Sequence, residues 1–76
     1  MCESINRLWV NPVKRRYYRA FLCTDLLGDV LLHRSWGSLT SSRGASQCEL
    51  VISWQDGLAR LDSIAKTRRQ HGYEPQ

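Results

Sequence analysis

Ser53-Trp54-Gln55-Asp56 opens the segment that most restricts what this chain can fold into. A serine followed three positions later by an acidic side chain has the form of a helix-capping box, in which the hydroxyl takes up a backbone N–H that the first helical turn leaves unpaired. Behind it, Trp54, Leu58, Leu61, Ile64 and Ala65 recur at three- and four-residue spacing. That spacing predicts one apolar stripe on a helix of about 16 residues. Arg60, Ser63 and Thr67 fall on the opposite side. Lys66, Arg68, Arg69 and His71 crowd the C-terminal end, where cations complement the helix dipole. Gly72 is placed to end the helix in the left-handed conformation. Gly57 works against the pattern, because glycine costs about 1 kcal/mol relative to alanine inside a helix, but near the first turn it is tolerable.

An apolar stripe needs a surface to bury it, and the chain before Ser53 reads as strands. Residues 5–10 form the first run, closed by Asn11-Pro12, since proline lacks the ladder donor and restricts the residue before it. The second run, 17–24, is aromatic and β-favouring, and it leads into Asp25-Leu26-Leu27-Gly28-Asp29, a composition typical of turns. Residues 30–36 complete a predicted hairpin. The small, polar stretch 37–46 suits a surface loop. Residues 48–52 follow as a fourth strand, with Cys48, Leu50 and Ile52 on one face and Glu49 and Val51 on the other. The predicted fold is α+β: a single antiparallel sheet of about four strands with one C-terminal helix packed on one face. Trp54 is expected to pack the first helical turn and Tyr73 to pin the tail to the sheet.

With 76 residues, the chain is one domain, because chains this short bury only about 60% of the surface they expose when unfolded. A deep cleft backed by a second supporting layer does not fit in such a core. The 42% hydrophobic content is too high for a disordered tail. Eleven Lys and Arg against seven Asp and Glu leave a net charge of +4, which favours polyanionic partners, nucleic acid first, and equally serves solubility. No run approaches the ~20 apolar residues of a membrane span. Met1-Cys2-Glu3-Ser4 lacks the features of a secretory signal, so no membrane partner is expected. Cys2, Cys23 and Cys48 are odd in number and widely spaced, which indicates reduced thiols in the cytoplasm rather than a disulfide framework or zinc knuckle. His33 and His71 add no ligand spacing. Neither metal nor cofactor is expected.

Catalysis is not expected either. Ser35 and Ser53 have no recognisable His and Asp partners, Asp25 and Asp29 read as turn formers, and no glycine-rich phosphate loop joins a strand to a helix. Binding chemistry is better represented. Lys14, Arg15, Arg16 and Arg19 interleave with Tyr17 and Tyr18, a combination suited to phosphate contact plus stacking. The same charges also suit a strand edge guarded against aggregation. Arg43 lies in the predicted Ser/Gly loop, where its guanidinium can reach a phosphate or simply remain solvated. Trp36 can stack on a sugar or an exposed base if its strand ends or bulges near Ser35. In a regular strand it shares a face with Val30, Leu32 and Arg34 and is buried with them.

Asp25-Leu26-Leu27-Gly28, a strand through Leu32, Arg34-Ser35-Trp36-Gly37 and a glycine-bearing loop occur here in that order. A strand ending at Ser53, a helix carrying Ala59, and Lys66 with Gly72-Tyr73 follow them. With Asn11 and Arg16-Tyr17-Tyr18 upstream, this series resembles the WGR domain, a small module of DNA-dependent poly(ADP-ribose) polymerases and many bacterial proteins. The resemblance covers about residues 8–73 of a single 1–76 domain. It implies an antiparallel sheet with one helix, no catalysis by the module itself, and nucleic-acid binding with Trp36 in the place of the motif tryptophan. The third motif position is Ser38 rather than arginine, and Arg34 or Arg43 is the candidate to supply a guanidinium nearby.

The expected function is phosphate-backbone and end recognition of nucleic acid, DNA more than RNA, through Trp36, Arg34, Arg43, Arg15, Arg16, Arg19 and Tyr17. The alternative is an accessory module for a larger protein partner, docked on an open sheet face showing Tyr17, Phe21 and Val51.

Overall fold

A computed structural model describes residues 4–76 of the chain; Cys2 lies outside the described residues. Strands β1 (Ser4–Asn11), β2 (Arg16–Thr24), β3 (Val30–Ser38) and β4 (Gly44–Val51) precede helix α1 (Trp54–Gln70) and a short β5 (Glu74–Pro75). They form one antiparallel sheet in the order β4-β3-β2-β1-β5, with α1 on one face. The α+β architecture is the one expected from the sequence, with β5 added. Two residues pairing with Trp9 and Val10 leave too little pattern to read, and Pro75 is tolerated because it sits at the sheet edge.

The turns explain where each strand stops. Asn11 pairs with Arg16 and ends the β1–β2 ladder where the Asn11-Pro12 signal placed it. At the β2–β3 turn, Asp25 Oδ1 accepts hydrogen bonds from the backbone N–H groups of Leu27 and Asp29, each at 2.9 Å, and Gly28 takes a φ of 87°. The β3–β4 connection differs from expectation. Both strands run further, and the loop predicted over 37–46 shrinks to 39–43. Gly37 and Gly44 are cross-strand partners, with Tyr17 opposite Gly37 on the next strand. A Cβ on Gly37 would lie 2.7 Å from the Arg43 carbonyl oxygen and 3.1 Å from the Tyr17 ring. These glycines are strand residues over which an aromatic ring lies, a compensation that weak strand formers receive in sheets.

Strand parity divides the sheet cleanly. Trp9, Tyr18, Ala20, Leu22, Val30, Leu32 and Val51 are buried on the helix side, where Leu61 of α1 meets them. Tyr17, Phe21, Leu31 and Leu50 take the other side. Tyr17 and Phe21 therefore share the open face as anticipated, but Val51 does not: it pairs with Val30 and belongs to the core.

Helix α1 begins as the capping pattern predicts, with Ser53 Oγ accepting from the Asp56 N–H at 3.1 Å. It ends at His71 with Gly72 at φ 83°. The Tyr73 N–H donates to the Arg68 carbonyl at 2.9 Å and the Gly72 N–H to that of Arg69 at 3.2 Å, the paired bonds of a Schellman cap. The stripe facing the sheet is displaced from the predicted one. Gly57 and Leu61 are its buried members, and Leu58 is 39% exposed. Bulk and polarity alone mark Leu58 as a core residue; the sheet instead receives the helix at its smallest side chain. A Cβ on Gly57 would lie 2.6 Å from Leu22 Cδ1 and 2.8 Å from Cδ2, and Leu22 is fully buried. Gly57→Ala therefore sets a helix-propensity gain of about 1 kcal/mol against an overpacking cost of about 1–3 kcal/mol. Urea denaturation is expected to show a net loss of stability, and a more stable variant would refute this close approach.

Candidate nucleic-acid interface

The helix-side face changes character along the strands. Beneath the first turns of α1, Val30 pairs with Val51, and Ile5, Leu22 and Leu32 form the next apolar row, which ends on β4 at Glu49. One row toward the other end of the sheet, Ala20 and Arg34 pair. Next comes an aromatic row in which Trp9 pairs with Tyr18 and Tyr18 with Trp36. The outermost row is polar and basic: Asn11, Arg16, Ser38 and, across the hairpin, Arg43. The last two rows meet the C-terminal turn of the helix.

Tyr18 and Trp36 stack with centroids 5.9 Å apart and planes at 11°, while Trp9 meets Tyr18 at 6.2 Å and 58°. The Arg68 guanidinium carbon sits 4.5 Å from the Tyr18 centroid and 5.0 Å from that of Tyr73. Its Nε is buried without a hydrogen-bond partner among the described residues, and the aromatic faces hold this cation against the sheet. A cleft of about 580 Å³ opens beside this stack. Its walls carry Arg16, Arg34, Arg43 and Arg68, with Tyr18, Trp36 and Tyr73 as its aromatic surface, and no carboxylate of the described residues lines it.

Ser38 lies in the outermost row of the sheet, on the wall of the cleft. Its neighbours on both sides are arginines: Arg16 pairs with it on β2, and its N–H donates to the Arg43 carbonyl at 3.2 Å. The Ser38 hydroxyl instead builds the loop, bonding to Thr40 Oγ1 and accepting from the Thr40 N–H, each at 3.1 Å. The loop is fastened from outside by the Leu39 N–H, which donates to the Arg15 carbonyl at 2.8 Å.

Of the residues expected to bind, Trp36, Arg16, Arg34 and Arg43 come together in this cleft. Arg34 is already engaged, donating to Gln47 Oε1 at 2.9 Å and lying 3.6 Å from Glu49, a carboxylate shared with Arg60 at 2.9 Å. Arg15, Arg19 and Tyr17 do not join them. Arg15 sits in the β1–β2 turn with a φ of 54° and contributes its carbonyl to the loop. Arg19 and Tyr17 project from the open face, the opposite parity of β2 from Tyr18. Trp36 reaches the cleft without any strand end or bulge near Ser35, since β3 pairs regularly through Ser38. It is half-buried beside Tyr18, its neighbour on β2, over which the Arg68 guanidinium lies.

Sequence reading missed Tyr18 and Arg68 as cleft residues. Arg68 was attributed to the helix dipole, yet Leu61, Ile64 and Arg68 continue a three-then-four spacing that places it on the sheet-facing stripe. Tyr17 and Tyr18 read alike, as aromatics beside arginines, because β2 has apolar or aromatic residues at both parities. Among the described residues no cluster of His, Cys, Asp or Glu has the makings of a metal site, and no helix is long and apolar enough to cross a membrane. Cys48 is a free, exposed thiol.

No protein-family model matches this chain, and neither a curated protein nor a solved structure matches it.

Asn11 ties the two sides of the cleft's outer end together. Its Nδ2 donates to the His71 carbonyl at 3.0 Å and its Oδ1 accepts from the Lys14 N–H at 3.0 Å, although the residue is 3% exposed. Asn11→Ala leaves a helix-end carbonyl and a turn N–H without these partners. A loss of about 1–3 kcal/mol is expected in chemical denaturation, with faster amide exchange at Lys14 as the local readout.

Proposed function

We propose that this chain is a non-catalytic nucleic-acid-binding module that grips phosphates and packs a sugar or base at an end or unpaired nucleotide. The observation that carries the reading is the cleft in which Arg16, Arg43 and Arg68 surround the Trp36–Tyr18 stack and which no carboxylate of the described residues lines. Guanidinium groups bind phosphate oxygens in a planar fork, and an aromatic face beside them adds stacking that tolerates any base, worth about 1–3 kcal/mol per base. Phosphate contacts position a protein without reading sequence, so recognition of structure is the expected outcome rather than recognition of sequence. The resemblance of residues 8–73 to the WGR domain supports DNA over RNA, and break or end structures over continuous duplex. Arg43 opposite Ser38 supplies the guanidinium that the motif position lacks.

Ser53 and Asp25 have structural roles. Ser53 Oγ caps α1, and Asp25 Oδ1 holds the β2–β3 turn through two backbone N–H groups.

The test is an NMR and fluorescence titration with a nicked duplex, an intact duplex and a single strand at several salt concentrations. Shifts are expected at Arg16, Trp36, Arg43 and Arg68. If roughly four phosphates are contacted, log K should fall against log salt with a slope of about −3 to −4. Arg16→Ala and Arg43→Ala are each expected to weaken binding and to reduce that slope by about 1. Arg19→Ala, on the opposite face, is expected to change neither. A flat salt response, or equal effects from Arg19 and Arg43, would overturn the proposal.

A further inference from the structure

The two edges of the sheet are finished very differently. On one side β1 is partly covered by β5, a two-residue strand ending in proline, and β1 itself carries the exposed Arg7. On the other side β4 is a terminal strand of eight residues, GASQCELV, with no lysine, arginine or proline. Proteins ordinarily guard a long edge with such residues, with a bulge, or by covering it. Here β4 pairs with β3 without interruption from Val51 to Gly44, and most of it is exposed. Its single charge, Glu49, points to the helix side and is held by Arg34 and Arg60, so it offers no repulsion along the edge.

The phase of the ladder identifies the backbone groups left over. The Ser38 N–H donates to the Arg43 carbonyl, which makes that pair hydrogen-bonded. In an antiparallel ladder bonded and non-bonded pairs alternate, so Gly44, Ser46, Cys48 and Leu50 direct their N–H and C=O groups away from β3. Each offers one donor and one acceptor to an incoming strand.

We infer that β4 is a self-association edge, at which two copies of this chain pair β4 against β4 in antiparallel fashion about a two-fold axis through Gln47. This register uses every outward group: Gly44 meets Leu50 of the second copy, and Ser46 meets its Cys48. Small residues face larger ones, and Glu49 faces Ala45, so no like charges oppose one another. A register shifted by a single residue, with the axis between two residues, sets outward groups against inward ones and forfeits the ladder, whereas an axis at Ser46 or Cys48 keeps the phase but leaves Leu50 or Gly44 without a partner within β4. An isologous pairing of this kind closes after two copies rather than propagating.

The axis stands perpendicular to the sheet, so both helices fall on the same side of a continuous ten-stranded sheet, twice the five strands of one copy. Trp36 pairs with Ala45, two residues from the axis. With a strand spacing of about 4.8 Å and a rise of about 3.4 Å per residue, the two Trp36 positions lie roughly 20 Å apart on one face. That pair of clefts is a bivalent nucleic-acid surface, a consequence that rests on the proposed function; the pairing of the edges does not.

Sedimentation velocity of the whole chain, under reducing conditions and without nucleic acid, tests the pairing across a wide concentration range. A species of twice the monomer mass is expected to grow with concentration. Ser46→Pro removes an outward donor while leaving the β3 ladder intact. The double variant Ser46→Lys with Cys48→Lys sets lysines directly opposite one another across the axis. Both are expected to remain folded by circular dichroism and to sediment as monomers at concentrations where the parent chain pairs. With Cys2 and Cys48 replaced by serine, Gln47→Cys, placed on the axis, is expected to give a disulfide-linked dimer on mild oxidation, and Asp62→Cys on the exposed helix surface is not. A strictly monomeric parent chain, or pairing untouched by the double lysine variant, would overturn the inference. Because no nucleic acid is present, failure of the binding proposal leaves this result unchanged.

Discussion

The row of rings Trp9, Tyr18 and Trp36 is the contact on which the rest of the structure depends. It crosses three adjacent strands at a single level of the sheet, and it is met from above by Arg68 and Tyr73. Sheet register, helix position and the placement of the tail all pass through it. A slip of one residue between any two of these strands would turn one ring to the open face and would strand the Arg68 cation above an apolar surface. Cross-strand aromatic pairs are among the stronger units of sheet stabilisation. A domain this small has few other ways to hold its far end together.

That row also marks the boundary between two kinds of packing. Toward Val30 and Val51 the helix lies close on the sheet, brought down by Gly57 against Leu22. Toward Arg16 and Ser38, the closing residues are an arginine and a tyrosine at the helix end, joined to β1 by the buried Asn11. The cleft exists because the helix stops there. Its charge follows from the same geometry, since residues two apart on β2 and β3 share a face: Arg16 lies beside Tyr18, and Arg34 beside Trp36. Binding chemistry and core packing are consecutive rows of one surface.

Several of these features were legible in the chain before any coordinates. The capping serine, the glycine that ends the helix and the proline that closes β1 act through local backbone chemistry, and each lies where the sequence placed it. The alternation of Val30, Leu32, Arg34 and Trp36 correctly grouped these residues on one face. Gly37 and Gly44 misled, because a glycine in a strand and a glycine in a loop look alike until the ring that covers it is known. Leu58 misled for a related reason. Its hydrophobicity is intrinsic, but whether it is buried depends on how close the opposing sheet comes, which Leu22 and Gly57 decide together.

What the sequence determined by itself is therefore the order of the four main strands and the helix, the alternation along β3, and the excess of positive charge. These depend on interactions within a few residues, or on a periodicity that one strand or helix carries alone. Only the tertiary structure decided which arginines act together. Arg16, Arg34, Arg43 and Arg68 are scattered over 53 positions from first to last, and register brings them around one cleft, while Arg19, three residues from Arg16, faces the other way. Side-chain direction alternates along a strand, whereas proximity across strands is set by pairing, and pairing is a property of the assembled sheet.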